Sequence, residues 1–292
     1  MSAHSRIPGH AASFKQEGKQ VAGDATTSRP MEDLMRLGYV VRGLVYGVIG
    51  VLALQVALGR GGALSDTQGA IAAMGQTPFG SLLLYVVLVG LLGYALWSVV
   101  RAVLDPQHQG TDAKGIVARV GNAVSGISYG LLAYATYGLI TAGASAARNG
   151  AQGAQTQQTT ASILSNSWGP WAVGLAGVIV IGIGLSHVVR GLNPEFKRQF
   201  QAYALSSSER KWIDRLGRFG TAARGVVFTL IGLFLFLAAY HHDPRQAQGI
   251  DGVLTVLLHQ PSGPWLLGIV ALGLIAFGIY SAMSGYWLRL KR

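Results

Sequence analysis

The chain has no cysteine and few charged residues. Among its 292 residues only 12% are Asp, Glu, Lys or Arg, which is about half of the 25% typical of a soluble domain. Without cysteine the chain cannot form a disulfide, a thiolate metal site or a cysteine nucleophile. The shortage of charge, together with a mean hydropathy of +0.39, indicates that much of the chain faces lipid.

Several kinds of catalytic and transport residue are missing as well. Asp and Glu lie only outside the apolar runs or at their ends, whereas ion-coupled transporters commonly need carboxylates inside the membrane. The same absence excludes an intramembrane hydrolase with paired carboxylates. The chain has no Gly-x-x-x-x-Gly-Lys-[Ser/Thr] phosphate loop and no recognisable Ser/His/Asp set. We therefore predict a protein that is not an enzyme and has no catalytic residues.

The histidines do not favour a cofactor or a metal. His187 is the only histidine within an apolar run, and a membrane haem commonly needs two axial ligands. His241, His242 and His259 lie outside the runs, and adjacent histidines lack the spacing of ligands on one helix face. We predict neither a cofactor nor a metal site.

Long apolar runs dominate what the sequence does contain. There are six, each of about 19–25 residues: 37–58, 82–104, 120–142, 170–192, 222–240 and 264–288. At about 1.5 Å per residue, each forms a helix long enough to cross a bilayer. The sequence thus predicts an all-α membrane protein with six transmembrane helices.

The runs belong to three copies of one unit. The stretch that begins at Arg36 recurs 83 residues later at Arg119 and a further 99 residues later at Arg218. The second runs repeat as well, by 183 residues from the first unit to the third and more weakly by 89 to the second. We predict three tandem two-helix repeats, related by pseudo-threefold symmetry about the membrane normal because each unit returns the chain to its starting side.

The basic residues predict orientation and domain limits. If the runs alternate across the membrane, 20 of the 23 Lys and Arg fall on one side, which places both termini in the cytoplasm of a bacterial inner membrane. A net charge of +11 so arranged favours anionic lipid headgroups over nucleic acid. The predicted segments are a disordered tail (1–35), three repeats (36–106, 119–194 and 218–292) and a basic interfacial loop or helix (195–217).

Two patterns carry a family resemblance: Gly-x-x-x-Arg-Gly-x-x-Tyr/Phe at 38–46 and 220–228, and Pro-Phe-Gly with Gly-Tyr-x-x-Trp around the second run of the first unit. They resemble the bacterial membrane family called "domain of unknown function 1206", over about residues 36–288. The resemblance implies three two-helix repeats and no particular activity. The middle unit departs from the pattern, with Ser125 where the others have arginine.

Small residues recur on one face of each first helix. They stand at four- and three-residue spacing, which lets helix backbones approach closely in lipid, and we predict that they pack helices, so that Gly47→Leu disrupts folding. The glycines of these faces are Gly43, Gly47, Gly50, Gly126, Gly130, Gly225 and Gly232.

The arginines inside the first helices suggest a binding site. Arg42 and Arg224 lie one to two turns inside the first helices of units one and three, each with an aromatic residue four positions later within reach of a cation–π contact. Two readings remain open: a cytoplasm-facing site for an anion or lipid headgroup, or arginines that extend to lipid phosphate at the inner leaflet. The candidate residues are Arg42, Tyr46, Ser125, Tyr129, Arg224 and Phe228.

Two functional classes follow from the sequence. The first is a structural or interaction protein that binds membrane lipids, a membrane-protein partner or a second copy of itself. The second is a passive channel for a small neutral or anionic solute along the pseudo-threefold axis. The sequence supplies few polar residues to line such a path, which favours the first class.

Overall fold

Helices make up almost all of the described chain. The computed structural model describes residues 29–104, 113–142, 152–193 and 207–287. Its six long helices are α1 (Arg29–Ala57), α3 (Gly80–Leu104), α4 (Ala113–Ala142), α6 (Gly169–Leu192), α7 (Ser207–Tyr240) and α9 (Gly263–Trp287). Three short helices are α2 (Thr67–Gly75), α5 (Gln152–Leu164) and α8 (Ile250–Leu258), and a 3-10 turn spans Pro244–Gln246.

All six long helices are long and apolar enough to span a membrane. Each of the three units consists of two long helices, as the repeat predicts, with a short helix between them. The all-α fold with six spans in three tandem two-helix units is therefore confirmed. Residues 1–28 of the predicted tail, 195–206 of the predicted interfacial segment and 288–292 of the third repeat lie outside the described residues.

Two predicted boundaries differ from the structure. Residues 29–35, assigned to the disordered tail, form the first turns of α1. Pro30 and the acidic Glu32 and Asp33 suit a helix start, because proline lacks only an amide that would be unpaired there and acids favour the positive end of the helix dipole. Residues 207–216, assigned to an interfacial segment, continue without a break into the third unit as part of α7.

The tightest helix packing joins successive units. Each first helix packs along the second helix of another unit: α4 on α3, α7 on α6, and α1 on α9, which brings the third unit back to the first. Within a unit, α1 packs on α3 and α7 on α9. The predicted glycine faces lie at the seams between units.

Several seam glycines have no room for a side chain. A Cβ at Gly43 would lie 2.7 Å from the Ala282 amide nitrogen, and one at Gly50 would lie 2.8 Å from the Ala271 carbonyl oxygen. In the other seams, Gly225 faces Gly184, Gly232 faces Ile181, and Gly126 faces Val99. Close backbone approach of this kind replaces the hydrophobic drive that lipid cannot supply.

Two of the predicted seam glycines point away from the contact. A Cβ at Gly47 or Gly130 would meet no atom within 4 Å. The backbone of Gly47 still lies against Gly278, whose own Cβ would stand 3.0 Å from the Gly47 Cα. The close packing is thus carried by Gly43 and Gly50, and the structure does not support the expectation that Gly47→Leu disrupts folding.

The arginine that opens the second repeat and the one that opens the third each cap a neighbouring helix. Arg119 donates from Nε to the carbonyl oxygen of Ala102 (2.8 Å) and from Nη2 to that of Val103 (3.1 Å), at the end of α3. Arg218 bonds Gly191 and Leu192 at the end of α6 in the same way, at 3.1 and 3.0 Å. A cation at a helix C-terminus satisfies carbonyls and favours the helix dipole. We call this end of the bundle the basic end.

The middle unit is packed differently from the other two. The glycines Gly38, Gly121 and Gly220 occupy equivalent positions of the repeat. A Cβ at Gly38 would lie 2.8 Å from the Tyr94 Cβ and one at Gly220 2.8 Å from the Phe277 Cβ, but one at Gly121 would meet nothing within 4 Å. In α4 and α6 only 17% of the spanning residues are buried, against 33% to 50% in the other spans. Among the described residues, the two long helices of the middle unit therefore leave an opening between them.

Candidate anion site

Arg42 lies inside the bundle among aromatic rings of three helices. Its Nη1 donates to the Tyr94 hydroxyl oxygen at 2.7 Å. Its guanidinium carbon lies 4.8 Å from the centroid of the Phe277 ring, and 5.9 Å from that of Tyr39 one turn earlier on α1. Contacts of a cation with ring faces at these distances are attractive, more so where water is excluded.

Arg224 occupies the matching position of the third unit. It donates from Nε to the Tyr46 hydroxyl at 3.2 Å, and its guanidinium carbon lies 4.6 Å from the Phe228 centroid. Its Nη1 lies 3.3 Å from Nε2 of His187. Because Nδ1 of His187 lies 2.8 Å from the Ile183 carbonyl oxygen, that nitrogen carries the ring proton, and Nε2 accepts from the arginine.

One ring joins the two arginines. The Phe277 centroid lies 4.8 Å from the Arg42 guanidinium carbon and 4.9 Å from that of Arg224. The two positive charges are consequently no more than about 10 Å apart. Tyr129 completes the group, with its ring 4.4 Å from that of Tyr94. All six long helices contribute to this cluster, which we call the arginine cluster: Tyr39, Arg42, Tyr46, Tyr94, Tyr129, His187, Arg224, Phe228 and Phe277.

The arginine cluster carries positive charge without a carboxylate. Among the residues that the structure describes, neither Arg42 nor Arg224 forms an ion pair. The Nε of Arg42 is buried and has no hydrogen-bond partner in that part of the chain. A buried cation that lacks an acidic partner is costly. The geometry is that of a site in which an anion would complete the charges.

The predicted site residues are only partly brought together. Tyr46 contacts Arg224 of the third unit, with the guanidinium carbon 5.3 Å from its ring, although its spacing in the sequence predicts Arg42 as its partner. Tyr129 and Phe228 both belong to the cluster. Ser125 instead donates to the Gly121 carbonyl oxygen of its own helix at 2.8 Å, so the middle unit supplies no third arginine-like contact.

Four residues of the cluster were not in the predicted site: Tyr39, Tyr94, His187 and Phe277. Tyr94 and Phe277 come from the second helices of units one and three, and they occupy equivalent positions of the repeat. The two units with an arginine in the first helix also have an aromatic residue at this position of the second helix. That coincidence was the signal available in the sequence. His187 was considered only as a haem ligand, and nothing in its local sequence indicates that it faces Arg224.

A separate cavity lies among the short helices. Its volume is about 480 Å³, and it is lined by Asp66 and Gln68 of the first unit, several threonines of α5, and one face of α6 with Trp168 before it. Asp66 caps α2 by accepting from the Gly69 amide at 2.9 Å. Burial and the nearby Asp251 carboxylate hold the pKa of Asp66 above its usual range. No charged side chain other than Asp66 lines this cavity in the described part of the chain.

Two histidines between the spans of the third unit, His241 and His259, form hydrogen bonds with nearby residues. His241 Nδ1 lies 2.8 Å from the Gln246 side-chain oxygen, and His259 Nδ1 lies 2.8 Å from the Thr255 carbonyl oxygen. Within the described ranges, no group of three or more His, Cys, Asp or Glu side chains is placed to hold a metal ion.

Comparison with known proteins supports the division into three units. The family model described as Domain of Unknown Function (DUF1206) matches the chain three times, at residues 37–105, 120–193 and 219–287. The chain is 34% identical over 252 residues to the uncharacterized protein YxxB of Bacillus subtilis (strain 168), which covers 86% of this chain and 89% of that protein. No solved structure matches the chain.

Proposed function

The chain belongs to the family of the Domain of Unknown Function DUF1206, and from that premise we propose that it is a non-enzymatic protein of the bacterial inner membrane that binds phosphate-bearing anions. The site is the arginine cluster, which faces the cytoplasm in the predicted orientation. Phosphates of this kind are carried by anionic lipid headgroups. The protein would then serve as a structural or interaction protein at the inner leaflet.

The observation that carries this proposal is a pair of arginines with no acidic partner among the described residues. Arg42 and Arg224 come from different units and share the Phe277 ring, at 4.8 and 4.9 Å. Arginine suits phosphate because its planar fork donates two parallel hydrogen bonds. The Nε of Arg42 lacks a partner among the described residues, so a donor remains for such a ligand.

The core of the bundle favours binding over conduction. A hydrophobic cluster fills the space between the first and third units, with Ile49, Leu91, Val227, Leu274 and Phe277 nearly or fully buried. A passive channel needs a wet path along the bundle, whereas these side chains pack against one another. Binding at the basic end requires no such path.

The proposal is tested by ligand-induced stabilisation of the full chain in phosphatidylcholine nanodiscs, with glycerol 1-phosphate as the soluble probe. A ligand at 100 times its Kd stabilises the folded state by about 2.7 kcal/mol, and we expect saturable stabilisation of the wild type. The double variant Arg42→Gln/Arg224→Gln should lose it, because both guanidinium donors are gone.

The matched control neutralises two arginines elsewhere. Arg60 and Arg245 are exposed and lie between spans at the other end of the bundle. The variant Arg60→Gln/Arg245→Gln changes the net charge equally and should keep the response to the probe. Equal responses from the wild type and from Arg42→Gln/Arg224→Gln, or no response from any form, would overturn the proposed function.

A further inference from the structure

The opening between α4 and α6 is lined by positions that are buried in the other units. Val41, Val124 and Ala223 are equivalent in the repeat, and they are 3%, 53% and 9% exposed. On the facing helix, the positions equivalent to Gly90 and Gly273 carry Ile179 in the middle unit, which is 50% exposed. The helix face that packs inside units one and three is therefore exposed in unit two.

The substitutions in α6 explain why the helices stand apart. Gly90 and Gly273 admit the side chains of Val41 and Ala223, which press directly against them. Isoleucine at that position would hold a neighbouring helix away. The aromatic residues Tyr94 and Phe277, which lie against Gly38 and Gly220, are replaced by Ile183. The middle unit thus lacks both the glycine and the aromatic ring through which the two long helices of the other units contact each other.

Both walls of the opening reach the arginine cluster. On the α4 side, the Tyr129 ring lies 4.4 Å from that of Tyr94, whose hydroxyl accepts from Arg42. On the α6 side, Nε2 of His187 lies 3.3 Å from the Arg224 guanidinium. Ser125 stands in the middle unit where a third arginine would be expected, and its hydroxyl is turned to its own helix. The opening therefore leads to Arg42 and Arg224, neither of which forms an ion pair with a described residue.

We propose that the anion of this site is the headgroup of an anionic phospholipid whose acyl chains lie in the opening between α4 and α6. This inference rests on the proposed function and names its ligand class. The apolar walls, with Val124 and Ile179 half-exposed, suit hydrocarbon. The two arginines at the inner end complement one phosphate. A second copy of the chain would cover the apolar walls but would bring no anion to the arginines from any described residue of α4 or α6.

A side chain that fills the opening should prevent binding of the lipid but leave binding of the free headgroup unchanged. A Cβ at Gly121 meets no atom within 4 Å, so Gly121→Phe can fold while its ring occupies the space that the equivalent glycines give to Tyr94 and Phe277. Gly138 lies on another face of α4 and is equally open. The matched control is therefore Gly138→Phe.

The experiment measures binding to the full chain in phosphatidylcholine nanodiscs. The two probes are long-chain phosphatidylglycerol, incorporated at increasing fraction and detected by native mass spectrometry, and soluble glycerol 1-phosphate. We expect Gly121→Phe to weaken phosphatidylglycerol binding by at least about tenfold and to leave glycerol 1-phosphate binding unchanged. Gly138→Phe should alter neither.

The other outcomes separate the two proposals. If Gly121→Phe binds phosphatidylglycerol like the wild type, or if the mass spectra show a dimer that Gly121→Phe abolishes with no lipid bound, the lipid in the opening is wrong. The proposed function then still stands provided that glycerol 1-phosphate binding depends on Arg42 and Arg224. If neither probe binds, both proposals fail.

Discussion

The middle unit and its two neighbours share one sequence register but pack differently. In units one and three the two long helices are in contact at Gly38 and Gly220. A Cβ at the equivalent Gly121 of the middle unit would meet no described atom within 4 Å. The first helices differ little at these positions, so the difference lies in the second helices. A glycine followed four residues later by an aromatic residue in the second helix lets the first helix of the unit pack against it. Isoleucine at both positions keeps the two helices apart. In lipid, where apolar surface gains nothing from burial, such local shape decides whether helices associate.

The largest expected effect comes from a substitution that disrupts the contact between the two long helices of unit three. Gly220→Leu should destabilise the protein by about 3 kcal/mol, at the upper end of overpacking costs, because its Cβ would meet the Phe277 backbone. Gly121→Leu at the equivalent position should change stability by less than about 0.5 kcal/mol. Thermal unfolding in nanodiscs measures both. Equal losses would mean that the middle pair is also closed.

A second test compares two glycines on one helix. Gly43→Leu should cost about 2 kcal/mol, since its Cβ would stand 2.7 Å from the Ala282 amide nitrogen. Gly47→Leu should be nearly neutral, because no atom lies within 4 Å of its Cβ. The same unfolding measurement distinguishes them, and a larger loss at Gly47 would show that spacing along the helix, rather than the direction of each Cβ, sets the seam.

The third test concerns the ring between the arginines. Phe277→Leu removes cation–π contacts with Arg42 and Arg224 and should cost about 1–2 kcal/mol. Ile183→Leu, at the equivalent position of the middle unit, should cost less than about 1 kcal/mol because it is a volume-conserving change. If both variants lose the same stability, the ring contributes packing alone.

The smallest expected effect on stability concerns the N-caps of two short helices. The N-cap of α2 in unit one is Asp66, and that of α8 in unit three is Gly249. Because burial raises the pKa of Asp66, the folded state holds this proton more tightly than the unfolded state. Its contribution to stability therefore falls as pH rises from about 4 through the raised pKa. Asp66→Asn keeps a capping oxygen and should show a shallower loss between those values. An unchanged slope would contradict the assignment.

The sequence predicted the parts of the fold that depend on local pattern. Run length gave six spans, and the shared register gave three two-helix units. The partner of Tyr46 was not predictable in this way, because i+4 spacing points to Arg42 while the tertiary contact is with Arg224 of another unit. The placement of His187 against Arg224 depends equally on how α6 and α7 pack.

The opening left only a faint trace in the sequence. The middle repeat is the weakest of the three, and Ser125 breaks the arginine pattern, which argued against a strictly threefold arginine site. Isoleucine at 179 and 183 is unremarkable in a transmembrane helix, so its effect becomes visible only beside the equivalent Gly90 and Tyr94. The pseudo-threefold axis stays a prediction, and the middle pair departs from it.

The central claim is that α4 and α6 stand apart while the other two pairs touch. Because the chain has no cysteine, single cysteines at the three equivalent positions of the first helices can be compared without background thiols. In detergent, Val124→Cys should react readily with N-ethylmaleimide because Val124 is 53% exposed, whereas Val41→Cys and Ala223→Cys should react slowly because those positions are 3% and 9% exposed. Equally slow reaction of all three cysteines would contradict the open unit and the lipid site built on it.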